Sequence, residues 1–560
     1  MPVGSCRGNG GIKMAYGIAL DLGTSGFRGQ AIELDSGDVV ATVITSRHPV
    51  PGANVMDHLN FAVDFGLEIA HNLVVSAVNQ IIERLGVPLE KVTRLAVCGN
   101  PIQLSLFEEI EIRDLAYAGE RKKRALGVIP PSRDAKILPA NQIRGLALLP
   151  DAEVYIPPAV RHEIGADALA MMIFSGLLDR SEITLVTDYG TNAEMALKVG
   201  DEIFTGSCAA GPALEGQHIN YGMLAAPGAI SDVCAEGPGH RSYVLDENLI
   251  PQAGDLNDLA RGTVLEKGSL NATGITGTGV VALIYEGLRA SLIRLPEIKV
   301  SNGLLHLANG VTFSKRDLEE AGKAIGALRA GYLTLAKEAG IAVKDIHCAY
   351  MAGASGTYVD AFKAHQIGMV PPAVKKIYQI GNTSLALARQ LVRQPALLSE
   401  LQDLAGKLRA RHCMFGMSKD FANAYLLELS FWGEGMPWEQ YWKLAKSFKL
   451  PELPLPEGAP EIHRIVSRDI EVLGQRGLNV IEQVGHVYHA FFPGCQLCGL
   501  CVEECPEKAL DTSETNENRG GLLCLRADRC NGTACLRCER VCPEKIFSLK
   551  KFLVCLQDDR

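Results

Sequence analysis

The cysteines of this chain are concentrated at one end. Of the 16 cysteines in 560 residues, ten lie in the last 66 residues and the other six are scattered singly. Eight of the ten repeat one pattern, as Cys495-x2-Cys498-x2-Cys501-x3-Cys505-Pro506 and as Cys530-x4-Cys535-x2-Cys538-x3-Cys542-Pro543. Residues 1–10 are polar and Gly-rich, without the apolar segment of a secretory signal, so we expect a cytoplasmic protein without disulfides. Clustered thiols in that setting indicate a bound inorganic cofactor.

The spacing of these cysteines indicates which cofactor they bind. Tight Cys-x2-Cys-x2-Cys spacing wraps one backbone loop around one cluster, and a fourth Cys before Pro ligates the other cluster of a pair, as in bacterial ferredoxins with [4Fe–4S] clusters. We therefore expect a first cluster on Cys495, Cys498, Cys501 and Cys542, and a second cluster on Cys530, Cys535, Cys538 and Cys505. Structural zinc sites or disulfides are the alternatives, but zinc ribbons use two separated Cys pairs and need neither the third Cys nor the repeated Cys-Pro. Cys524 and Cys555 fall outside the pattern, and we expect them to be packing residues.

Composition narrows the class of protein. Apolar residues make up 47% of the chain and charged residues 21%, as in a folded protein, and the length suggests several domains. The net charge is −9 and there is no basic block, so nucleic acid and anionic membranes are not expected partners. We find no apolar run of the roughly 18 residues that a bilayer span requires.

Residues 14 to about 395 alternate β-rich runs, helical patterns and Gly-rich turns, which predicts an α/β region. Two segments in this region match each other: Leu20-Asp-Leu-Gly-Thr-Ser25 and Thr187-Asp-Tyr-Gly-Thr-Asn192. Each follows an apolar strand and precedes a second strand-like run. Because residues 20 and 187 are 167 positions apart, the two copies predict the halves of a duplicated domain.

The two matched turns are candidates for binding a polyphosphate. A Gly-rich hairpin turn directs several backbone N–H groups at one point, and two facing turns would hold the phosphates from both sides. Asp21 and Asp188 are the candidate catalytic carboxylates, because a carboxylate beside such a turn can hold Mg²⁺ through water or orient a water at the γ-phosphate. The hydroxyls that add donors are those of Thr24, Ser25 and Thr191. Glu194 and Glu215 are further candidates for Mg²⁺ or water contacts, with a solvated carboxylate as the alternative.

Two more Gly-rich turns follow predicted strands. Gly353-Ala-Ser355-Gly356 permits close approach of a base and ribose, or simply tight packing of strand against helix. Gly274-Ile-Thr-Gly-Thr-Gly279 precedes a predicted helix, whose N-terminus could face phosphate. Neither segment is a Walker A motif or part of a Rossmann unit.

Five segments together resemble the reductive activases of corrinoid enzymes, and the paired cysteine motifs narrow the resemblance to the archaeal methylamine branch of that family. The segments are Asp21-Leu-Gly-Thr-Ser-Gly26, Ala209-Ala-Gly-Pro212, Ala225-Ala-Pro-Gly-Ala-Ile230, Gly274-Ile-Thr-Gly-Thr-Gly279 and Gly353-Ala-Ser-Gly356. The resemblance implies an α/β, duplicated nucleotide-binding domain of the acetate-and-sugar-kinase/Hsp70/actin type, then a helical connector and an α+β ferredoxin domain. The expected organisation is a tail at 1–13, the two halves at 14–178 and 179–395, a connector with a Pro-rich linker at 396–484, and the two-cluster domain at 485–560.

The resemblance also implies an activity. Members of this family use ATP and Mg²⁺ to reduce the inactive Co(II) corrinoid of a methyltransferase partner protein to Co(I), in methanogenesis from methylamines. A low-potential electron donor is the second implied partner, and the two [4Fe–4S] clusters carry the electron. The resemblance assigns Asp21, Gly23, Thr24 and Ser25 to the first phosphate turn, Asp188, Gly190, Thr191 and Asn192 to the second, and Gly353, Ser355 and Gly356 to the adenosine side.

Other functions are compatible with parts of this pattern. An activase for another corrinoid or low-potential enzyme is the nearest alternative. A small-molecule kinase with an attached ferredoxin would need no redox clusters, and an ATP-driven electron donor to a dehydratase would hold one cluster between two subunits. A binding module switched by ATP, with structural clusters, is the non-enzymatic alternative.

Overall fold

The computed structural model describes residues 15–117, 119–160, 164–190, 192–208, 218–408, 412–456, 458–513 and 520–554. Within these ranges, two large mixed sheets form two α/β halves, and a small antiparallel sheet near the C-terminus forms an α+β domain. This agrees with the fold class that the sequence predicts.

The first half is a mixed sheet flanked by helices. Its strands are β1 (Tyr16–Leu22), β2 (Phe27–Glu33), β3 (Val39–Thr45), β4 (Val92–Gly99), β5 (Lys136–Pro139) and β6 (Glu153–Ile156). Its helices are α1 (Val55–Phe65), α2 (Leu67–Leu85), α3 (Pro101–Glu108), α4 (Arg113–Ala116), α5 (Glu120–Ala125) and α6 (Ala166–Phe174). Strands β1, β2 and β3 form an antiparallel meander, while β4 lies parallel to β1 and β6 parallel to β4. Every residue of β1 after Tyr16 is buried, which explains its continuous apolar run.

The second half repeats this arrangement. Its strands are β7 (Thr184–Tyr189), β8 (Ala193–Val199), β9 (Glu202–Cys208), β10 (Ala229–Glu236), β11 (Gly239–Leu245), β12 (Pro251–Asn257), β13 (Val264–Glu266), β14 (Gly274–Ile275), β15 (Ile293–Arg294), β16 (Glu297–Ile298), β17 (Leu304–His306), β18 (Thr312–Ser314), β19 (Cys348–Ala352) and β20 (Lys376–Gly381). Its helices are α7 (Gly277–Arg289), α8 (Lys315–Glu338), α9 (Gly353–Tyr358) and α10 (Ala361–Gln366). The next helix, α11 (Thr383–Arg393), packs against β1 and β4 of the first half. Strands β7, β8 and β9 form a meander, with β19 parallel to β7 and β20 parallel to β19, so the duplicated order is seen directly.

The region after α11 contains both the predicted helices and two strands that the sequence does not predict. The helices are α12 (Leu397–Leu408), α13 (Lys419–Glu434) and α14 (Trp438–Ser447), and the strands are β21 (Glu461–Arg464) and β22 (Leu478–Ile481). Strand β21 extends the second-half sheet beside β20, and β22 extends the first-half sheet beside β3. We refer to residues 461–481 as the strap, because this segment joins the edges of both sheets. Both strands are four residues long and mostly exposed, which is too short for a clear alternation in the sequence.

The C-terminal domain is built on an antiparallel sheet that carries the cysteine loops. It comprises β23 (Val487–Pro493), α15 (Leu500–Glu503), β24 (Leu510–Ser513), β25 (Gly520–Arg526), α16 (Arg537–Val541) and α17 (Leu549–Val554). Residues of β23 alternate between exposed and buried, so that Tyr488, Ala490 and Phe492 face the domain core. Phe492 packs with Phe547 and Phe552, which closes that core under the sheet.

Candidate functional site

The first matched turn is the hairpin between β1 and β2. Leu22 pairs with Phe27, which leaves residues 23–26 as the turn. A Cβ added at Gly23 would lie 2.9 Å from the carbonyl oxygen of Gly26, so the tight turn requires glycine. Asp21, the last buried carboxyl before the turn, accepts a hydrogen bond of 2.8 Å from Asn382 Nδ2 at the start of α11.

The second matched turn lies between β7 and β8, where Tyr189 pairs with Ala193. The backbone N–H of Gly190 donates to the carbonyl of Asn192 at 3.2 Å across the turn. Thr191 and Glu215, both predicted site residues, lie outside the described residues.

The Gly353–Gly356 turn lies directly against the second hairpin. Gly353 has φ +80°, and a Cβ there would collide with Asp188 Oδ1. A Cβ at Gly356 would lie 3.3 Å from the ring of Tyr189. The predicted adenosine side and the predicted catalytic carboxylate therefore meet at glycines that leave no room for a side chain.

Buried carboxyls collect between the two hairpins. Burial raises the pKa of Asp188 well above its ordinary value, and the nearby Asp167 and Asp21 raise it further. Burial also raises the pKa of Asp167 to about 6 and that of Glu194 well above its ordinary value. Because like charges in a buried site oppose one another's ionisation, a cation bound among these groups would favour their carboxylate forms. A Mg²⁺ ion with bound phosphates would supply that cation.

Two acidic residues of this cluster were missed by the sequence reasoning. Asp167 lies on α6, where it is the single charged residue in the apolar run Ala166–Phe174. A lone charge in such a run is the pattern that could have indicated it. Asp469 lies on the strap, where no local pattern marks it. Its carboxylate accepts a hydrogen bond of 3.2 Å from Arg28 Nε, and the Arg28 guanidinium also lies 3.5 Å from Asp21 Oδ2. Arg28 thus links the first hairpin to the strap.

A cleft of about 1,090 Å³ opens in front of the first hairpin. Of the predicted nucleotide-binding residues, Thr24, Ser25 and Ser355 line it, together with Thr276–Thr278 at the start of α7. Another part of the lining belongs to the C-terminal domain and includes Cys530, Cys535, Arg529, Arg537 and Arg540. The first hairpin, the turn at Gly353–Gly356 and the second cysteine loop therefore face one common space.

The second set of predicted cluster ligands surrounds a small cavity. Its lining includes Cys505, Cys530, Cys535 and Cys538, so the structure places Cys505 with the later motif. Backbone N–H groups donate to two of the thiols, from Gly532 to Cys530 Sγ at 3.3 Å and from Ala509 to Cys505 Sγ at 3.2 Å. Burial raises the pKa of the Cys530 and Cys538 thiols to about 12, so only a metal would hold them as thiolates at neutral pH. These features fit an iron–sulfur cluster.

The first set of predicted ligands is more open. Cys498 is exposed. Burial raises the pKa of the Cys501 thiol, and the neighbouring thiols of Cys495 and Cys498 raise it further. A Cβ at Gly521 would lie 3.0 Å from Cys495 Sγ, so β25 approaches this loop closely. Burial raises the pKa of the Cys542 thiol, but backbone N–H groups of residues 544–547 outweigh it and lower the pKa overall, as suits a thiolate ligand. Cys524 is half-buried on β25, and Cys555 lies outside the described residues.

Within the described ranges, no helix is long and apolar enough to cross a bilayer. No three His, Cys, Asp or Glu side chains in those ranges are arranged to hold a single metal ion.

Comparison with known proteins accounts for most of the chain. Residues 16–180 match the family described as the RACo middle region, residues 182–442 match the C-terminal domain of RACo, the ASKHA domain, and residues 494–546 match the 4Fe-4S dicluster domain. A protein of Methanosarcina barkeri named "[Co(II) methylated amine-specific corrinoid protein] reductase" is 48% identical over 520 residues, which are 93% of this chain and 96% of that protein. The chain belongs to the family of corrinoid-protein reductive activators.

More distant corrinoid activators show the same relationship. The "Corrinoid activation enzyme RamQ" of Eubacterium limosum is 25% identical over 378 residues, covering 64% of this chain and 61% of its own. The solved structure of a "Reductive activator for corrinoid,iron-sulfur protein" superposes with a TM-score of 0.61 at 25% identity, over 75% of this chain and 66% of that one. The resemblance and the ASKHA-type fold that the sequence indicates are thus confirmed, and the 4Fe-4S domain identifies the chain as an iron–sulfur protein.

Proposed function

We propose that this activator uses ATP and Mg²⁺ to reduce the Co(II) corrinoid of a methylamine-type methyltransferase protein to Co(I), with two [4Fe–4S] clusters carrying the electron. The observation that carries the proposal is the common cleft, whose lining includes Thr24 and Ser25 of the first hairpin, Ser355 of the turn that lies against the second hairpin, and Cys530 and Cys535 of the second cysteine loop. The name of the Methanosarcina barkeri relative supports the substrate.

The chain's own residues have distinct roles in this proposal. The backbone N–H groups of the turns at 23–26 and 190–192 hold the phosphates. Asp21 and Asp188 hold Mg²⁺ through water and orient the attacking water, with Asp167 close enough to share the charge. Gly353 and Gly356 let the adenosine approach the backbone of α9. The eight motif cysteines hold the clusters, which supply one-electron transfer when bound.

ATP is needed because Co(I) is a very strong reductant. Cluster potentials extend down to roughly −700 mV only in favourable settings. Each shortfall of about 59 mV lowers the yield of Co(I) about tenfold for one electron. Nucleotide binding can close this gap only if its free energy differs between two conformations of the complex. Closure of the two halves around the nucleotide, with reshaping of the docked corrinoid protein, is the conformational change we propose.

The decisive experiment follows cobalt by visible spectroscopy in an anaerobic mixture of activator, Co(II) corrinoid protein, reductant and ATP. We expect Co(I) only when ATP is present. Cys538→Ala removes a ligand of the second cluster and should abolish Co(I) formation. Asp188→Ala should abolish the stimulation of Co(I) formation by ATP. Co(I) formation that survives Cys538→Ala contradicts electron transfer through the second cluster. ATP turnover that requires a sugar or acid acceptor, without electron flow, supports the kinase alternative.

Iron content tests the number of clusters separately. Two [4Fe–4S] clusters predict about eight irons per chain in anaerobically purified protein, with matching acid-labile sulfide. Colourless protein that contains zinc and lacks iron would refute the assignment.

A further inference from the structure

The C-terminal domain contacts the first half through the second cluster's own loop. The backbone N–H of Gly52 donates to the carbonyl oxygen of Cys530 at 2.8 Å. Gly532 lies beside Pro51, so close that a Cβ there would be 3.3 Å from the Pro51 carbonyl oxygen. The segment at 50–54, just before α1, therefore supports the backbone of a predicted cluster ligand.

Gly52 in turn packs against a buried histidine pair that is held by one glutamine. A Cβ at Gly52 would lie 2.8 Å from Cδ2 of His58, whose ring stacks on His48 at 3.8 Å. Gln103 Oε1 lies 2.9 Å from His48 Nε2, and Gln103 Nε2 lies 2.9 Å from His58 Nδ1. All three side chains are buried.

The protonation of this pair is determined by its surroundings. The backbone N–H of Val50 donates to His48 Nδ1 at 3.1 Å, so His48 carries its proton on Nε2 and donates it to Gln103. Burial lowers the pKa of His48 to about 4, which keeps the ring neutral. The Gln103 amide then donates to His58, so its orientation is fixed by both rings.

The same glutamine is connected to the first phosphate hairpin. Its backbone N–H donates to Asn100 Oδ1 at 3.0 Å, because Asn100 caps the N-terminus of α3. The Asn100 Nδ2 group donates to Thr24 Oγ1 at 3.1 Å. A continuous set of contacts, which we call the Gln103 network, thus runs from the hairpin to the second cluster's loop: Thr24, Asn100, Gln103, His48, His58, Gly52 and Cys530.

We propose that nucleotide binding at the first hairpin lowers the reduction potential of the second cluster through the Gln103 network and leaves the first cluster unchanged. The proposal rests on the proposed function, because it assumes both nucleotide and clusters. N–H donors to cluster sulfurs stabilise the more negative, reduced state, so they raise the potential. When phosphate engages Thr24 and shifts the network, Gly52 moves the Cys530 peptide and weakens the bond from Gly532 N–H to Cys530 Sγ, now 3.3 Å. The cluster facing the cleft then becomes the stronger reductant.

The test is a redox titration of the clusters in the holoprotein, followed by electron paramagnetic resonance, with and without Mg²⁺ and the non-hydrolysable analogue AMPPNP. No corrinoid protein is present. We expect AMPPNP to lower the potential of one cluster only. The variant Cys498→Ser assigns the signals, because the signal that it changes or removes belongs to the first cluster.

Matched variants test whether the shift in potential depends on the Gln103 network. Gln103→Met keeps the side-chain size but breaks the network, and should abolish the shift while AMPPNP still binds. Gln80→Met is the control, because Gln80 Nε2 also bonds the C-terminal region, at the Val484 carbonyl 3.3 Å away, without reaching the hairpin. It should keep the shift. Asn100→Ser interrupts the Gln103 network at a second position, because serine still caps α3 but is too short to reach Thr24. It should also abolish the shift.

Reciprocity gives an independent measurement. If nucleotide binding lowers the potential of a cluster, then reduction of that cluster must weaken nucleotide binding. The two effects correspond to the same free energy. A tenfold weaker affinity for AMPPNP in the reduced protein corresponds to about 59 mV.

If AMPPNP binds without a shift in the potential of either cluster, or shifts only that of the first, this inference is wrong and the proposed function stands. If the shift persists in both Gln103→Met and Asn100→Ser, the path is wrong. If AMPPNP does not bind at all, both proposals fail.

Discussion

Gly353 offers a quantitative test of the nucleotide site, because its two constraints can be separated. Its φ of +80° costs a non-glycine residue about 1–2 kcal/mol of backbone strain. In addition, a Cβ there collides with Asp188 Oδ1. To restore ordinary contact, the Asp188 carboxylate must move by about 1 Å, and a displacement of that size costs on the order of 100-fold in rate.

The variant Gly353→Ala should therefore reduce the rate of ATP-dependent Co(I) formation on the order of 100-fold. Gly340→Ala is the matched control, because Gly340 has φ +68° and nothing within 4 Å of its added Cβ. It should lose similar stability, about 1–2 kcal/mol, while the rate stays unchanged. Stopped-flow spectroscopy at 25 °C measures both rates. Equal losses of rate in the two variants would show that backbone strain alone slows Co(I) formation. A Gly353→Ala rate within twofold of that of the parent protein would refute the placement of Asp188.

The carboxyl cluster gives two further predictions. Burial raises the pKa of Asp167 to about 6, so Mg²⁺ must displace a proton below that pH. Affinity for Mg²⁺–AMPPNP should fall about tenfold per pH unit below 6, as measured by calorimetry, and a flat profile would contradict the prediction. Asp469 raises the pKa of both Asp21 and Asp188, so Asp469→Asn should lower the pKa of these two carboxyls and strengthen binding of Mg²⁺–AMPPNP at neutral pH in the same calorimetric assay, and weaker binding would show that Asp469 acts mainly through Arg28.

The features that the sequence predicts well are local. Asp21 to Ser25 and Asp188 to Asn192 adopt tight hairpins because Gly, Thr and the flanking strands favour the turn at each site. The cysteine spacing likewise determines which thiols one loop can place together. Both patterns lie within a few residues of chain, so neither depends on the rest of the fold.

The features that the sequence does not reveal come from distant segments. Asp469 reaches the hairpin only because the strap crosses from one sheet to the other, 441 residues away from Arg28. Gln103 and His48 look like ordinary buried polar residues until α3 and the segment before α1 bring them together. Each of these contacts depends on the tertiary arrangement, and short-range periodicity carries no information about it.

The strap limits how the two halves can move. On the first half, Gln30 Nε2 donates to the Val472 carbonyl at 2.7 Å and Thr42 Oγ1 to the Leu473 carbonyl at 2.9 Å. On the second half, β21 is paired along its length with β20. The closure that we propose would therefore be absorbed between residues 466 and 471, where Asp469 lies.

The C-terminal domain begins at Val487, six residues after β22 ends at Ile481. A movement of the strap therefore reaches the cluster domain directly, while the Gln103 network reaches the same domain through Cys530. These two connections leave the first hairpin at nearby points, at Arg28 near the start of β2 and at Thr24 in the turn before it. A nucleotide bound between the halves would thus be connected to the clusters in two ways, through movement of the strap and through the Gln103 network. Asp469→Asn perturbs the first connection and Gln103→Met the second.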